Sequence, residues 1–241
     1  MNVDTTAQLA PDGSGEMFDA IALRYDLLNR LMSLGNDQRW RHRTVHALGL
    51  RGRVRVLDLA TGTADLALLV ARSARQSTVA AVDPSQQMRR IARRKISAAG
   101  LDDRIEIVDG RAEALPFEDA SFDAVCMAFG IRNVPDRIRA LSEIHRVLRP
   151  GATAALLELT EPGRGWLLPL AWLHVHAVVP LLGAVLSSSR EYRYLQRSIA
   201  AFPKPPAFVR MMSEAGFTGT TAESLTAGAC HLFVGRRGPS T

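Results

Sequence analysis

The stretch VLDLATGTADL, residues Val56–Leu66, decides the fold of this 241-residue chain. An apolar run ends at Asp58, passes through a turn of small residues and continues into a helix. A second apolar run, Ala80–Val82, ends at Asp83. This arrangement is typical of the nucleotide-binding half of a doubly wound α/β domain, with an acidic residue placed to bind a ribose. The Asp83 carboxylate can accept hydrogen bonds from both ribose hydroxyls, because each oxygen has two lone pairs.

The turn contains one glycine, Gly62, which limits the nucleotide that it can bind. A dinucleotide requires the pattern G-x-G-x-x-G, so that the backbone can approach the pyrophosphate. A ligand with a ribose and no phosphate fits better, and S-adenosylmethionine is the commonest one. Thr63 and the backbone around Gly62 are expected to face its methionine and ribose end. A nicotinamide-dependent oxidoreductase is therefore a disfavoured alternative.

A length of 241 residues predicts one α/β domain of ordinary size, and a hydrophobic content of 47% is enough for a full core. The formal net charge is +6, and among the 30 basic residues only Lys95 and Lys204 are lysines. This excess fits a soluble surface or attraction to an anionic membrane. No basic and aromatic alternation accompanies it, so we expect no nucleic-acid partner. Cys126 and Cys230 lie in apolar runs without metal-ligand spacing, which predicts buried thiols in a reducing compartment and no metal site.

We predict a single domain over residues 16–241, preceded by a flexible tail at residues 1–15. The N-terminus lacks the basic and apolar regions of a signal peptide, which predicts a cytoplasmic protein. Helical periodicity in residues 16–50 predicts an N-terminal helical cap. Residues 160–215 are interpreted as a helical insertion on the substrate side, after the fifth strand.

Strand and helix patterns alternate along the chain, which predicts a parallel sheet with right-handed crossovers. Five parallel strands are predicted at Val54–Leu59, Thr78–Val82, Arg104–Val108, Phe122–Phe129 and Ala152–Leu159. Two further runs, Phe217–Leu225 and Ala229–Gly235, would close a seven-stranded, mostly parallel sheet as a hairpin. The helix before the fifth strand is predicted to end at Arg149-Pro150-Gly151.

The run Trp166–Leu186 contains no Asp, Glu, Lys or Arg and is long enough to cross a bilayer. Pro169 and Pro180 interrupt it, and a domain still has to be completed after it, which disfavours a transmembrane helix. Two interpretations stay open: a buried helix in the core, or an apolar wall for a greasy substrate.

Three motifs outside the nucleotide turn share one family pattern. Residues 18–29 read FDAIALRYDLLN, Phe129–Val134 read FGIRNV, and residues 192–203 read YRYLQRSIAAFP. Together with the turn they resemble the ubiquinone/menaquinone biosynthesis C-methyltransferases, over about residues 17–237. The resemblance implies the class I S-adenosylmethionine-dependent methyltransferase fold, which is Rossmann-like, and S-adenosyl-L-methionine as the cofactor.

The resemblance also implies methyl transfer to a ring carbon of a prenylated hydroquinone. We expect conversion of a demethylmenaquinol to menaquinol. A benzoquinol of ubiquinone synthesis and a non-catalytic binding protein of the same fold are the alternatives. A phenol has a pKa of about 10, so the site has to stabilise a phenolate. Arg132 suits that task because it stays charged, and Asn133 and Tyr25 could orient the ring oxygen.

The candidate cofactor-binding residues combine the turn, the end of the second strand and the segment beside the adenine. They are Asp58, Thr61, Gly62, Thr63, Asp83, Arg111, Ala112 and Ala128. Four positions depart from the family pattern, one of them Gln196, which follows Leu195 where a Pro is usual. Ala64 replaces a frequent Gly, which we expect to be a mild change because a methyl group fits many helix starts. Arg111 replaces an Asn beside the adenine, and Ala128 replaces a Ser.

The implied substrate is almost insoluble, which bears on the partners of the chain. A polyprenylated quinol has to be met at a membrane or in an apolar groove, so we expect peripheral contact with the inner face of the cell membrane. The sequence does not determine the length of the prenyl tail, the identity of the general base or the oligomeric state. A homodimer is one expectation for the oligomeric state.

Overall fold

A computed structural model describes residues 26, 29, 30, 33–161 and 189–239, with the side chains of the last range described from residue 193. The tail at residues 1–15, Tyr25 and the apolar run Trp166–Leu186 lie outside the described residues. The same is true of most residues between 16 and 32 in the predicted N-terminal cap, and of residues 162–188 in the insertion predicted after the fifth strand.

The described residues form one seven-stranded sheet with helices on both faces. The strands are β1 (Arg55–Leu59), β2 (Thr78–Val82), β3 (Ile105–Val108), β4 (Phe122–Ala128), β5 (Leu148–Leu159), β6 (Phe217–Leu225) and β7 (Cys230–Arg237). The helices are α1 (Asn36–Ala47), α2 (Asp65–Ser73), α3 (Gln86–Ala98), α4 (Arg137–Val147), α5 (Ser189–Ala200) and α6 (Pro205–Glu214). Short 3₁₀ turns cover Ile131–Asn133 and Thr226–Gly228.

The strand order is β3-β2-β1-β4-β5-β7-β6. The first five strands pair in parallel, and β7 pairs antiparallel with both β5 and β6. The prediction of a mostly parallel sheet closed by a C-terminal hairpin is confirmed. The direction of winding reverses between β1 and β4, so the carboxyl ends of these two strands border the crevice in which such sheets bind ligands.

The sheet is buried on both faces. Accordingly, successive side chains of β1 lie in two different hydrophobic cores. Leu57 and Leu59 join the core beneath α4 and α6, whereas Val56 joins the core beneath α1, α2 and α3. All three are 0% exposed. Since successive side chains of a strand point to opposite faces, a near-continuous apolar run is what a doubly covered strand requires. Asp58 interrupts that run.

The helix before the fifth strand ends two residues earlier than the predicted stop at Arg149-Pro150-Gly151. The helix α4 ends at Val147, and Leu148 already pairs with Phe122 as the first residue of β5. A residue before proline is disfavoured in the helical conformation, which ends the helix early. Residues 149–152 then form an irregularity in the β4–β5 register, where Gly151 has a positive φ of 80°.

Candidate active site

Asp58 supports the turn after β1 from beneath. It is 1% exposed, and its Oδ2 accepts a hydrogen bond from Thr61 Oγ1 at 2.6 Å. On the other side, Cys126 Sγ lies 3.7 Å from Oδ1. Burial raises the pKa of Asp58 to about 7, an effect that the Thr61 hydroxyl partly offsets. Asp58 and Thr61 therefore hold the shape of the turn.

The turn contains strained backbone at Ala64, where we expected a mild change from glycine. Ala64 precedes α2 with φ 69° and ψ 20°, in the left-handed region. Its Cβ approaches the following carbonyl oxygen there, at a cost of about 1–2 kcal/mol. The expectation that a methyl group fits this helix start is therefore wrong, because it assumed ordinary φ. Ala60 has a positive φ of 49° in the same turn.

Asp83 connects the end of β2 to this turn. Its Oδ2 accepts from the Gly62 N–H at 2.8 Å, and its Oδ1 accepts from the Ser85 N–H at 2.9 Å. Each carboxylate oxygen has a second lone pair. Asp83 can therefore hold both backbone segments and still accept hydrogen bonds from a bound diol.

Arg89, on the first turns of α3, fixes this region from behind. Its Nη1 donates to the Asp83 carbonyl at 2.7 Å and to Asp109 Oδ1 at 2.7 Å, and its Nη2 donates to Asp109 Oδ2 at 2.9 Å. Because the guanidinium is planar and rigid, its two Nη atoms can bind the two carboxylate oxygens of Asp109 with little further loss of side-chain freedom. The ends of β2 and β3 are thereby held together.

A cavity opens at the carboxyl ends of β1, β2 and β4. It is lined by Leu59, Ala60, Gly62, Val82, Asp83, Pro84, Ser85, Met88, Gly110, Arg111, Ala112, Glu113, Met127, Phe129, Gly130, Asn133, Val134 and Pro135. The predicted site residues on its wall are Gly62, Asp83, Arg111, Ala112 and Asn133. Among the described residues, those predicted for the site but not on its wall are Asp58, Thr61, Thr63, Ala128 and Arg132.

The segment after β3 forms one side of the cavity. A Cβ at Gly110 would lie 3.1 Å from Val82 Cγ1, so glycine lets this segment approach β2 closely. The Arg111 side chain is half exposed, and its Nη2 lies 3.6 Å from Glu113 Oε1. Arg111, Ala112 and Glu113 all line the cavity, so this segment places one small side chain between two charged ones on the wall.

The FGIRN turn, residues Phe129–Asn133, is held by a buried ion pair that the sequence did not predict. Arg132 is 5% exposed and Glu158 is 0% exposed. Arg132 Nη1 donates to Glu158 Oε1 at 2.6 Å and to the Phe129 carbonyl at 2.7 Å. The Arg132 N–H donates to Glu158 Oε2 at 3.1 Å. Glu158 thus compensates the charge of Arg132 and fixes the turn.

The FGIRN turn and the turn after β1 touch at Gly130. A Cβ there would lie 2.6 Å from both Ala60 Cβ and Met127 Cε, which is closer than atoms can pack. Phe129, the residue before it, has a positive φ of 60°. Strained residues on both turns therefore border the cavity, as is common at functional sites.

Asn133 ends the FGIRN turn and lines the cavity. Its Nδ2 lies 3.4 Å from the Phe129 carbonyl, and its Oδ1 accepts from the Tyr194 hydroxyl at 3.2 Å. Burial raises the pKa of Tyr194, while the guanidinium groups of Arg132 and Arg137 lower it by less. Tyr194 lies on α5, so this contact joins the end of the predicted insertion to the site.

Thr63 belongs to a polar cluster on the outer side of the turn. Its hydroxyl donates to Asp26 Oδ1 at 2.6 Å, and Lys95 Nζ lies 2.8 Å from Asp26 Oδ2. Lys95 also donates to Thr63 Oγ1 at 3.1 Å and to Asp65. The cluster joins the N-terminal segment, the turn and α3.

The match to known proteins covers nearly the whole chain. The model of the ubiE/COQ5 methyltransferase family matches residues 7–237. The chain belongs to that family. A demethylmenaquinone methyltransferase of Thermus thermophilus is 45% identical over 92% of this chain and 100% of its own length. A ubiquinone/menaquinone biosynthesis C-methyltransferase UbiE of a Geobacter species is 40% identical over 92% of this chain and 94% of its own length.

Solved structures support the fold of this family member. A SAM-dependent methyltransferase from Aquifex aeolicus superimposes with a TM-score of 0.65, over 91% of this chain and 98% of that chain. The sequence identity of that pair is 17%, so the likeness concerns the fold alone. The expected class I, Rossmann-like fold is confirmed.

Sequence reasoning missed the partners that hold the predicted residues. Glu158 had one signal: a lone carboxylate inside the apolar run of β5, since a buried carboxylate needs a partner. Tyr194 had only its place in the motif at residues 192–203, and Lys95 had no signal, because their contacts join residues far apart in the chain. Tyr25 lies outside the described residues, so its predicted role stays a prediction.

The remaining titratable groups in the described part of the chain are not arranged as metal ligands. No cluster of three or more His, Cys, Asp or Glu side chains that could hold a metal ion occurs there. Cys126 and Cys230 are buried free thiols, as predicted. His145 packs edge-on against Phe217, and burial lowers its pKa. Nor does any helix in this part combine the length and apolarity that a membrane span requires.

Proposed function

We propose that this chain transfers a methyl group from S-adenosyl-L-methionine to a ring carbon of demethylmenaquinol. The observation that carries the proposal is that one cavity wall contains both Asp83 with Gly62 and Asn133 of the FGIRN turn. Cofactor-binding and substrate-orienting groups therefore border the same space. The name of the Thermus relative supports the naphthoquinol over the benzoquinol alternative.

The residues on the wall fit this cofactor. Asp83 offers acceptors for a ribose diol, and Met88 and Ala112 offer apolar surface for an adenine. The turn has one glycine, Gly62, where a dinucleotide site needs three. When bound, S-adenosylmethionine would supply an electrophilic methyl group on a sulfonium.

The chain's part in the reaction is to orient the ring and to stabilise its negative charge. The ring carbon becomes nucleophilic when the neighbouring phenol loses its proton. Asn133 is placed on the wall and can donate to that oxygen. Arg132 lies behind the wall, with its charge compensated by Glu158, so we assign it chiefly to holding the turn and adding a screened positive field. Tyr25 is a third proposed group.

The substrate is proposed to approach from the insertion at residues 160–215, with the apolar run Trp166–Leu186 receiving the prenyl tail. In this proposal residues 16–241 act as one domain, which meets the quinol at the inner face of the membrane as a peripheral protein. A homodimer is compatible with this arrangement and is not needed for it.

The proposal is tested with tritium-labelled cofactor and purified protein. We expect label in menaquinol when demethylmenaquinol is supplied, at a higher kcat/KM than with the benzoquinol of ubiquinone synthesis. Faster labelling of the benzoquinol would overturn the substrate assignment. Binding of S-adenosylhomocysteine without transfer to either quinol would favour the non-catalytic alternative.

A further inference from the structure

The hydroxyl of Tyr194 makes a long-range contact that the proposed function does not yet use. Tyr194 lies on α5, which packs against the 3₁₀ turn at Ile131–Asn133. Its hydroxyl lies 3.2 Å from Asn133 Oδ1, across 61 positions of sequence. One turn further along α5, Ser198 is fully buried and donates to the Leu195 carbonyl. The helix therefore meets the turn with Tyr194 at its partly buried surface.

The Phe129 carbonyl and the Tyr194 hydroxyl together determine which way the Asn133 carboxamide faces. The Phe129 carbonyl, 3.4 Å from Asn133 Nδ2, can only accept a hydrogen bond, so the amide nitrogen has to face it. The amide oxygen then faces Tyr194, which has to be the donor. A carboxamide nitrogen has two N–H groups, and in the described part of the chain one of them has a partner. The second can donate to an oxygen bound against the cavity wall, which Asn133 lines.

Tyr194 is suited to act as a permanent donor. Burial raises the pKa of its phenol, and the nearby guanidinium groups of Arg132 and Arg137 do not outweigh that effect. The hydroxyl therefore keeps its proton at neutral pH.

The geometry points to Tyr194 as a positioning residue that holds the Asn133 amide with an N–H directed at the ring oxygen of the bound quinol. The inference rests on the proposed function and adds a residue to it. Without the Tyr194 hydroxyl, the amide oxygen loses its donor, and only the 3.4 Å contact between Asn133 Nδ2 and the Phe129 carbonyl still holds the amide. A larger share of the molecules then has a rotated amide, which presents an acceptor to the phenolate. A repulsive contact would then replace a stabilising one in part of the molecules.

A double-mutant cycle on Tyr194→Phe and Asn133→Ala tests this role. A neutral hydrogen bond corresponds to a factor of about 3 to 10, so we expect Tyr194→Phe to lower kcat by that factor, with KM for the quinol changed less than about twofold. If Tyr194 acts through Asn133, adding Tyr194→Phe to Asn133→Ala produces no further loss. An unchanged kcat in Tyr194→Phe, or losses that multiply in the double variant, would overturn the inference.

A matched control separates positioning from simple docking of α5. Ser198→Ala removes a buried hydroxyl from the same helix, whose bond is made within the helix. We expect it to shift the melting temperature at least as much as Tyr194→Phe while leaving kcat unchanged. If kcat falls in step with the melting temperature in both variants, the role is structural. The wild-type rate with demethylmenaquinol is measured in the same assay, so an inactive wild type would refute the proposed function and not the role of Tyr194.

Discussion

At the scale of single residues, Asp83 makes the clearest prediction. Its carboxylate holds Gly62 and Ser85 and faces the cavity, so Asp83→Ala removes the acceptor for the ribose and loosens the turn. A hydrogen bond to a charged group contributes about 1.5–3 kcal/mol, so we expect S-adenosylhomocysteine to bind at least about tenfold more weakly in calorimetry. Asp103→Ala, at an exposed position, is the control and should bind as the wild type does. Equal affinity in both variants would remove Asp83 from the cofactor site.

Asp58 predicts a pH dependence of stability. Burial raises its folded-state pKa to about 7, whereas an unfolded aspartate titrates near about 3.9. The folded state therefore holds the proton more tightly, and the stability that this gives at low pH is lost as the pH rises from about 4 through 7. We expect Asp58→Asn to lack this loss, so that its free energy of unfolding gains up to about 4 kcal/mol relative to the wild type across that window. Urea unfolding at several pH values measures it, and parallel curves for the two proteins would contradict it.

Arg132 and Glu158 have to be tested together. Arg132→Ala leaves the Glu158 carboxylate buried and unpaired, which costs about 3–5 kcal/mol. In Arg132→Met with Glu158→Gln, no buried charge remains, and the Gln oxygen can still accept from one of the two backbone N–H groups that Glu158 binds. We expect the double variant to recover at least half of the stability lost in Arg132→Ala, as measured by urea unfolding. A double variant no more stable than Arg132→Ala would contradict the account of the pair.

The activity of the variant Arg132→Met with Glu158→Gln tests whether the positive charge of Arg132 is needed for methyl transfer. If Arg132 chiefly holds the turn, the folded double variant keeps measurable methyl transfer. If its positive field is needed for the phenolate, kcat falls although the fold is restored.

At the scale of elements, the start of α2 predicts a difference between two alanines. Ala64 and Ala67 are both fully buried, but only Ala64 has a positive φ. Replacement by glycine removes a methyl group and adds backbone freedom at either position, and at Ala64 it also relieves the left-handed strain. We expect Ala64→Gly to cost about 1 kcal/mol less than Ala67→Gly in unfolding experiments. Equal losses at the two positions would show that the turn does not strain Ala64.

The elements also show what local sequence can predict. The bounds of β2 and β6 agree with the predictions, because the apolar pattern of a strand is contained in the strand itself. The start of β5 does not, since it depends on pairing between Leu148 and Phe122. The same reasoning applies to the site. Asp83 was predictable from a pattern that ends a strand, whereas the pairing of Arg132 with Glu158 depends on two strands meeting in space.

At the scale of the whole molecule, the order of the sheet explains why distant motifs share one site. Because β1 and β4 are neighbours, the turn after β1 meets the FGIRN turn, and Gly130 allows the contact with Ala60. Alternating patterns predicted the parallel sheet, and from it the edge at which the ligand crevice lies. They could not predict which groups are supplied from outside the sheet, such as Tyr194 on α5, because no strand pairing positions them.

The net charge of the molecule makes the last prediction, which concerns the membrane. The formal net charge is +6, and α3 exposes Arg90, Arg93 and Arg94. Each arginine near an anionic surface contributes about 1 kcal/mol, so replacing these three with Gln should weaken binding to anionic lipid vesicles at least about tenfold. The attraction is screened over about 10 Å at 0.1 M salt, so high salt should release the wild type as well. Co-sedimentation with anionic and with neutral vesicles measures both effects, and substitution of Arg72 and Arg75 by Gln, at exposed positions in and just after α2, is the control. Binding that resists salt, or that is equal for neutral vesicles, would mean that apolar insertion and not the arginine surface of α3 brings this enzyme to its substrate.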